Sequence, residues 1–295
     1  DVARAVDAGA PVTRRRVTVA GGVRSPATFD VPLGTPFEAL VRAAGGAVDP
    51  RPRLVTGGPM MGRLATTQTP VTKTTSMVLV LPADHPVIQR RLRDPGRQLH
   101  LTRAACLKCM MCTEVCPRNL LGHRLYPDRL MRNLAAGVNE DGEAFTGAYL
   151  CSECGLCAVY GCVMNLDPCA VNRDLKARLQ QAGVEQPAPE PGRAERPAGT
   201  LRRVPGKRLI ARLGVAPYDL PAPETEFAER VEQLVIPLAQ HTGAPARPVV
   251  QAGRRVEAGD LIGEIPEGAL GARVHASGAG RVSGVSAEAV TIGLE

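Results

Sequence analysis

The 295-residue chain contains no tryptophan and only four tyrosines and four phenylalanines. Proteins that hold nucleic acid by stacking bases on aromatic faces need more than that. The formal charge of +7 is therefore not read as a nucleic-acid signature, and no nucleic-acid partner is expected. Lysine is also scarce. There are four, and none follows Lys207. No uninterrupted apolar run approaches the roughly 20 residues needed to cross a bilayer, so the chain is expected not to span a membrane. It opens DVARAVDAGAPV, without an initiator methionine or an export signal. Val2, Ala5 and Val6 read as the end of an amphipathic helix, in a fragment whose upstream part has been removed. Cysteine is absent before residue 106 and after residue 169, yet nine cysteines lie between. A disulfide-stapled secreted protein spreads its cysteines over its loops. Two tight runs without an export signal point instead to a reducing, cytoplasmic setting and to metal.

The first run, ACLKCMMCTEVCPRNL, places Cys106, Cys109, Cys112 and Cys116 in a C-x2-C-x2-C-x3-C-P pattern. The second, YLCSECGLCAVYGCVMN, holds Cys151, Cys154, Cys157 and Cys162. Structural zinc sites pair one C-x2-C with a distant second pair, so a third cysteine at +3 in both runs exceeds what zinc needs. A loop wrapping a cubane presents a thiolate about every three residues. In two-cluster ferredoxins the cysteine before proline ligates the other cluster. The expected ligand sets are Cys106, Cys109, Cys112 and Cys162 for one [4Fe–4S] cluster, and Cys151, Cys154, Cys157 and Cys116 for a second. The second run is irregular. Four residues separate Cys157 from Cys162, and Val163 stands where proline is expected. That leaves Cys169 as a competitor to Cys162. Cys169 sits in DPCAVNRDLKARLQ, where Asp167 reads as a helix N-cap and Pro168 as the first helical residue. Its neighbours Ala170 and Val171 favour a packed, apolar thiol. Arg103, Lys108, Arg118, Arg124, Arg129 and Arg132 flank the first run. They read either as cations that raise a cluster's potential or steer an acidic partner, or, for any single one, as a solvated helix face.

The flanks predict a multidomain α+β protein. Residues 14–82 read as hairpin, helix, then further strands, the order of a β-grasp unit. In TPFEALVRAAGG, Thr35 reads as N-cap, Pro36 as the first helical residue and Gly45-Gly46 as the stop. GGPMMG (57–62) reads either as a glycine-rich turn with exposed methionines over a ligand or partner, or as a tight turn with methionine in a core. Residues 97–182 read as a helical, ferredoxin-like two-cluster domain, and 184–206 as a Pro/Ala-rich linker. KRLIARLGV then reads as a short basic helix. Residues 236–295 contain PVVQAGRRVEAGDLIGEI answered by VHASGAGRVSGV, an internally repeated pattern that resembles the barrel-sandwich hybrid of biotinyl and lipoyl domains. With no lysine after Lys207, a carrier role is chemically excluded. His241 and His275 in this unit read as structural.

Taken together, GGPMMG, PVTKTTSMVLVL, CLKCMMCTEVCPRNLLGH, YLCSECGLC and QHTGAPARPVV followed by VHAS resemble the cobalamin reductases of propanediol-utilisation microcompartments and, more distantly, the C subunit of the Rnf electron-transport complex. The resemblance covers nearly the whole chain. It implies a soluble-ligand-binding (SLBB) β-grasp domain at 14–82. It also implies an oxidoreductase whose FMN- and NADH-binding domain lies upstream, because no glycine-rich strand-turn-helix fingerprint precedes Cys106. On that basis single electrons come from the flavin domain or a flavoprotein and leave through two clusters. The acceptor is an iron–sulfur shell protein or a corrinoid enzyme, cobalamin is a candidate substrate or ligand, and the setting is the cytoplasm, inside or on a microcompartment. No catalytic residue is assigned. The competing reading is a non-redox scaffold in which metal only holds the fold.

Overall fold

The computed structural model describes residues 2–138, 140–188 and 194–294. The chain divides into two compact units. Asp1–Gly58, Gly62–Asp84 and Pro217–Glu295 form one, and Pro59–Met61 with His85–Ala216 form the other.

The first unit is built on strands. β1 (Arg14–Gly21) and β2 (Ala27–Pro32) pair antiparallel, with Val17 opposite Phe29. Alternate residues of β2 point inward, as period-two patterning demands: Ala27, Phe29 and Val31 are buried. The helix Phe37–Ala43 covers this face with Phe37, Ala39 and Leu40. Thr35 does not cap it. The N-cap position is Pro36, which has no side-chain oxygen to offer, and the Thr35 hydroxyl donates to the Pro32 carbonyl at 2.8 Å. Thr35 thus closes the preceding turn, a local bond that competes with capping. Gly45 and Gly46, both at positive φ, end the helical segment as read from sequence.

β3 (Pro52–Thr56), β4 (Arg63–Ala65) and β5 (Met77–Pro82) complete the sheet from its other side. A sixth strand, β6 (Glu224–Thr225), arrives after the whole cysteine region. It lies parallel to the outer edge of β2, where Thr28 N–H donates to the Pro223 carbonyl at 2.8 Å. The sheet order is β4-β3-β5-β1-β2-β6. Nothing in the sequence pattern signals β6, because two exposed residues carry no periodicity.

The remaining strands are β7 (Gln233–Pro237), β8 (Arg247–Pro248), β9 (Arg255–Val256), β10 (Leu261–Glu264), β11 (Val274–His275), β12 (Gly280–Val285) and β13 (Ala289–Leu294). They form a three-stranded sheet, β11-β10-β8, and a four-stranded sheet, β7-β13-β12-β9. Leu234, Ile236, Ile262, Val282, Val290 and Ile292 fill one core among them. This assembly joins the first sheet directly. Val235 N–H donates to the Gly34 carbonyl, Lys73 N–H to the Gln240 side chain at 2.9 Å, and the Ser277 hydroxyl to the Leu33 carbonyl.

The second unit is helical. Five of its helices open with proline: Pro86–Arg91, Pro95–Ala105, Pro117–Leu120, Pro127–Ala136 and Pro168–Gln181. Proline suits that position, since its φ is preset and its missing N–H has no helical partner there. Asp167 accepts from Ala170 N–H at 2.9 Å, the cap expected from sequence. Leu130, Met131, Leu166 and Val171 form the core between helices. Residues 189–193 of the 184–206 stretch lie outside the described residues. Arg196, just beyond them, donates to the Asn119 carbonyl at 2.9 Å and lies over the Tyr126 ring. Among the described residues no helix is long and apolar enough to cross a membrane.

Candidate metal centres

The cysteines line two cavities of the helical unit. Cys106, Cys109, Cys112 and Cys162 line the first, with Asp128 in its wall. Cys116, Cys151, Cys154, Cys157 and Cys169 line the second. Each cavity therefore draws three thiols from one run and one from the other. Cys162 and Cys169, which sequence left as rivals for the first cavity, fall in different cavities. Among the described residues no three His, Cys, Asp or Glu side chains converge on one point as a single-ion site requires. The thiols instead surround two cages.

The two cysteine loops share a backbone design. Two residues after the first cysteine of each run, Lys108 and Glu153 adopt positive φ (56° and 58°). Four residues after it, Met110 and Gly155 do the same (64° and 78°). Left-handed residues alternating with ordinary ones turn successive N–H groups toward one side, a concavity suited to an anion. For a non-glycine residue that conformation costs about 1–3 kcal/mol. It occurs three times across the two loops, which marks them as shaped for a bound group. Lys176 ties the second loop down, donating to the Cys151 carbonyl at 2.8 Å and to Glu153 at 2.9 Å.

The irregular spacing of the second run has a structural cause. Residues Cys157–Gly161 form one turn of π-helix. A π turn absorbs one extra residue, so the fourth residue between Cys157 and Cys162 is taken up without displacing either thiol from its cavity. Gly161 is required at the end of this turn. A Cβ there would lie 2.8 Å from Val115 Cγ2, 3.1 Å from the Met111 carbonyl and 3.2 Å from Cys112 Cα.

GGPMMG matches neither sequence alternative fully. Its Pro59–Met61 tip belongs to the helical unit. Arg91 holds the Pro59 carbonyl at 2.8 Å, the Met60 methyl lies 3.6 Å from where a Cβ on Gly155 would sit, and Met61 is exposed.

Burial and hydrogen bonds between thiols together set the thiol chemistry. Burial pushes the Cys112 thiol up to about 12, with the Asp128 charge adding to the rise. Cys116 is raised by burial, opposed by the backbone N–H groups of Asn119 and Arg118. Cys151 and Cys157 are raised, first by hydrogen bonds to Cys169 and then by burial. Cys169 is lowered because it accepts from both. Cys169 is buried, as expected, in a cluster with Cys157 and Ala158, and it also lines the second cavity. Several flanking cations are paired: Arg124 with Glu143, Arg129 with Asp141 and Glu143, Arg132 with Asp128. Sequence reasoning missed Arg90. Among the described residues its Nη1 is buried without a hydrogen-bond partner, and its charge acts with those of Asp167 and Cys157. Arg90 lines neither cavity, but a half-buried cation within electrostatic reach of Cys157 suits an anionic group there.

Known proteins agree with this chemistry. The 4Fe-4S dicluster domain family matches residues 105–167. The chain is 41% identical to the cobalamin reductase PduS of Salmonella typhimurium over 293 residues, 99% of this chain and 64% of that protein. The Citrobacter freundii PduS is 39% identical over the same shares. This chain is an iron–sulfur electron-transfer module. The module also resembles the C subunit of the ion-translocating oxidoreductase complex of Vibrio cholerae, at 37% identity over 127 residues, 42% of this chain and 15% of that protein. Two further domain families match it: SLBB at 16–64 and the RnfC barrel sandwich hybrid at 222–294. The module spans just under two thirds of the length of the PduS proteins it matches.

Asp128 is the first cavity's electrostatic lever. It is buried, accepts from the Thr113 hydroxyl and pairs with Arg132 at 2.6 Å. Removing a nearby negative charge makes reduction easier. Asp128→Asn is therefore expected to raise the potential of the first site, on the order of tens of millivolts, and to leave the second unmoved. An EPR-monitored redox titration checks this.

Proposed function

We propose that the module binds two [4Fe–4S] clusters, one held by Cys106, Cys109, Cys112 and Cys162 and the other by Cys151, Cys154, Cys157 and Cys116. The observation that carries this reading is the sorting of thiols from both runs into two cages. When bound, the clusters supply one-electron transfer. The chain's own part is to present thiolates, to exclude water with Leu125, Met131 and Leu166, and to set local charge with Asp128 and Arg90. Because each run contributes a cysteine to the other's cage, the two sites are built as one body, and this favours electron relay over two independent structural metals.

The larger reading follows from the resemblance. Residues 14–82 serve as an SLBB β-grasp domain, 97–182 as a ferredoxin-like domain, 184–206 as a linker and 236–295 as a barrel-sandwich hybrid without a carrier lysine. Electrons come from an FMN- and NADH-binding domain or flavoprotein. They leave to an iron–sulfur shell protein or corrinoid enzyme, with cobalamin as candidate substrate or ligand. The site of action is cytoplasmic, inside or on a microcompartment.

This predicts that the chain alone does not reduce a dye with NADH, but does so when a reduced flavoprotein is supplied. Steady NADH-dependent dye reduction without added flavoprotein would contradict the placing of NADH and FMN elsewhere. A colourless protein that dithionite does not bleach would favour the scaffold reading instead.

A further inference from the structure

The two cages differ in one respect that the ligand assignment does not use. The first is lined by four thiols and the second by five. The fifth, Cys169, is the second residue of the helix Pro168–Gln181 and is buried. It lines the same cavity as Cys151, Cys154 and Cys157 and is buried beside Cys157 and Ala158. It therefore stands inside the ring of candidate ligands.

A cubane has four iron corners. Cys151, Cys154 and Cys157 belong to one tight loop whose spacing commits them to three corners. The fourth corner needs a thiol from outside that loop. Two such thiols line this cavity, Cys116 at the start of Pro117–Leu120 and Cys169 at the start of Pro168–Gln181.

We propose that Cys169 is a reserve ligand of the second cluster, one that takes the fourth corner when Cys116 is lost. This rests on the two-cluster reading above. The exchange is balanced without a redox change. The Cys169 sulfur would bond the fourth iron as a thiolate in place of the Cys116 sulfur, or, where residue 116 carries no sulfur, in place of a solvent oxygen; any proton it held would pass to the displaced donor or to solvent. The first cage has no such reserve, so its outside ligand Cys162 is an internal control.

The experiment measures iron, acid-labile sulfide and the EPR of the dithionite-reduced protein in anaerobically purified full chains. Wild type holding about eight irons is the condition for the two-cluster reading, and fewer would sink that reading rather than this one. Given eight, C116A is expected to keep about eight irons with an altered second-site EPR signal and a shifted potential. C169A is expected to keep eight irons and the wild-type spectrum. C116A/C169A is expected to lose second-site iron, as C162A loses first-site iron. Should the double alanine variant fail to fold, C116A/C169S preserves the volume, and a hard oxygen donor there shifts the second-site spectrum and potential away from those of C116A. Equal iron loss in C116A and the double variant, full retention in the double variant, or loss in C169A alone would each overturn the proposal.

Discussion

Replacing Cys162 with alanine lowers the iron content from about eight atoms per chain to about four, or to about seven where a three-iron core survives. The loss falls on the site of the first run, fifty residues earlier in sequence, and the second-run signal persists. The reason is placement. Cys162 lines the cavity of Cys106, Cys109 and Cys112, while its sequence neighbour Cys157 lines the other. The Leu166 backbone N–H donates to the Cys162 sulfur at 3.3 Å, which orients the thiol from its own side of the chain. That cage is lined by four thiols, so losing one leaves three. Reduced-state EPR with iron and sulfide analysis checks the result. Loss confined to the second-run signal would place Cys162 on the wrong site.

Gly161→Val is expected to cost both clusters at once. The new side chain must enter space already held by Val115, the Met111 carbonyl and the Cys112 backbone. Backbone atoms cannot rotate away, so the π turn or the Met111–Glu114 helix has to move. Overpacking of this kind costs about 1–3 kcal/mol. Here the displaced segments carry Cys112 and Cys116 on one side, Cys157 and Cys162 on the other, so the loss in cluster loading exceeds the loss in stability. Gly142→Ala is the control, since a Cβ there meets nothing within 4 Å. Denaturant unfolding and iron content measured in both variants test the difference. Wild-type loading in Gly161→Val would show that the close approach does not shape the sites.

The metal centre was legible in sequence to the extent that it is local. The C-x2-C-x2-C spacing reports how a loop wraps a cage, and a reader of the chain finds it without coordinates. The charged residues outside the runs that act on the thiols were less visible. Asp128 and Arg90 carry no spacing signal, because their positions depend on how helices pack. Cys169 is buried, as its neighbours Ala170 and Val171 suggest, but its place in the lining of the Cys151, Cys154 and Cys157 cavity depends on packing and has no signal along the chain. The extra residue between Cys157 and Cys162 looked like a defect in the motif. A π turn absorbs it, and no propensity rule predicts a π turn from five residues.

The same division holds for the fold. Alternation in Ala27–Pro32 and the Gly45-Gly46 stop follow from local chemistry and were readable. The Thr35 cap was not, since a hydroxyl can serve either the helix or the turn before it, and the Pro32 carbonyl won. Strand β6 joins its sheet about two hundred residues after β2, with two exposed residues and nothing in their pattern to announce it. The packing of the barrel-like sheets onto the first sheet, through Gly34 with Val235 and Lys73 with Gln240, likewise depends on surfaces formed only after folding.

The central claim is that thiols from both cysteine runs assemble two iron–sulfur clusters that pass electrons. Iron and acid-labile sulfide counted on the anaerobically purified chain, with EPR before and after dithionite, tests it most directly. The account predicts about eight irons and eight sulfides per chain, an absorbance that bleaches on reduction, and an EPR spectrum of two interacting reduced clusters. A colourless protein with one or two zinc ions and no sulfide would contradict it.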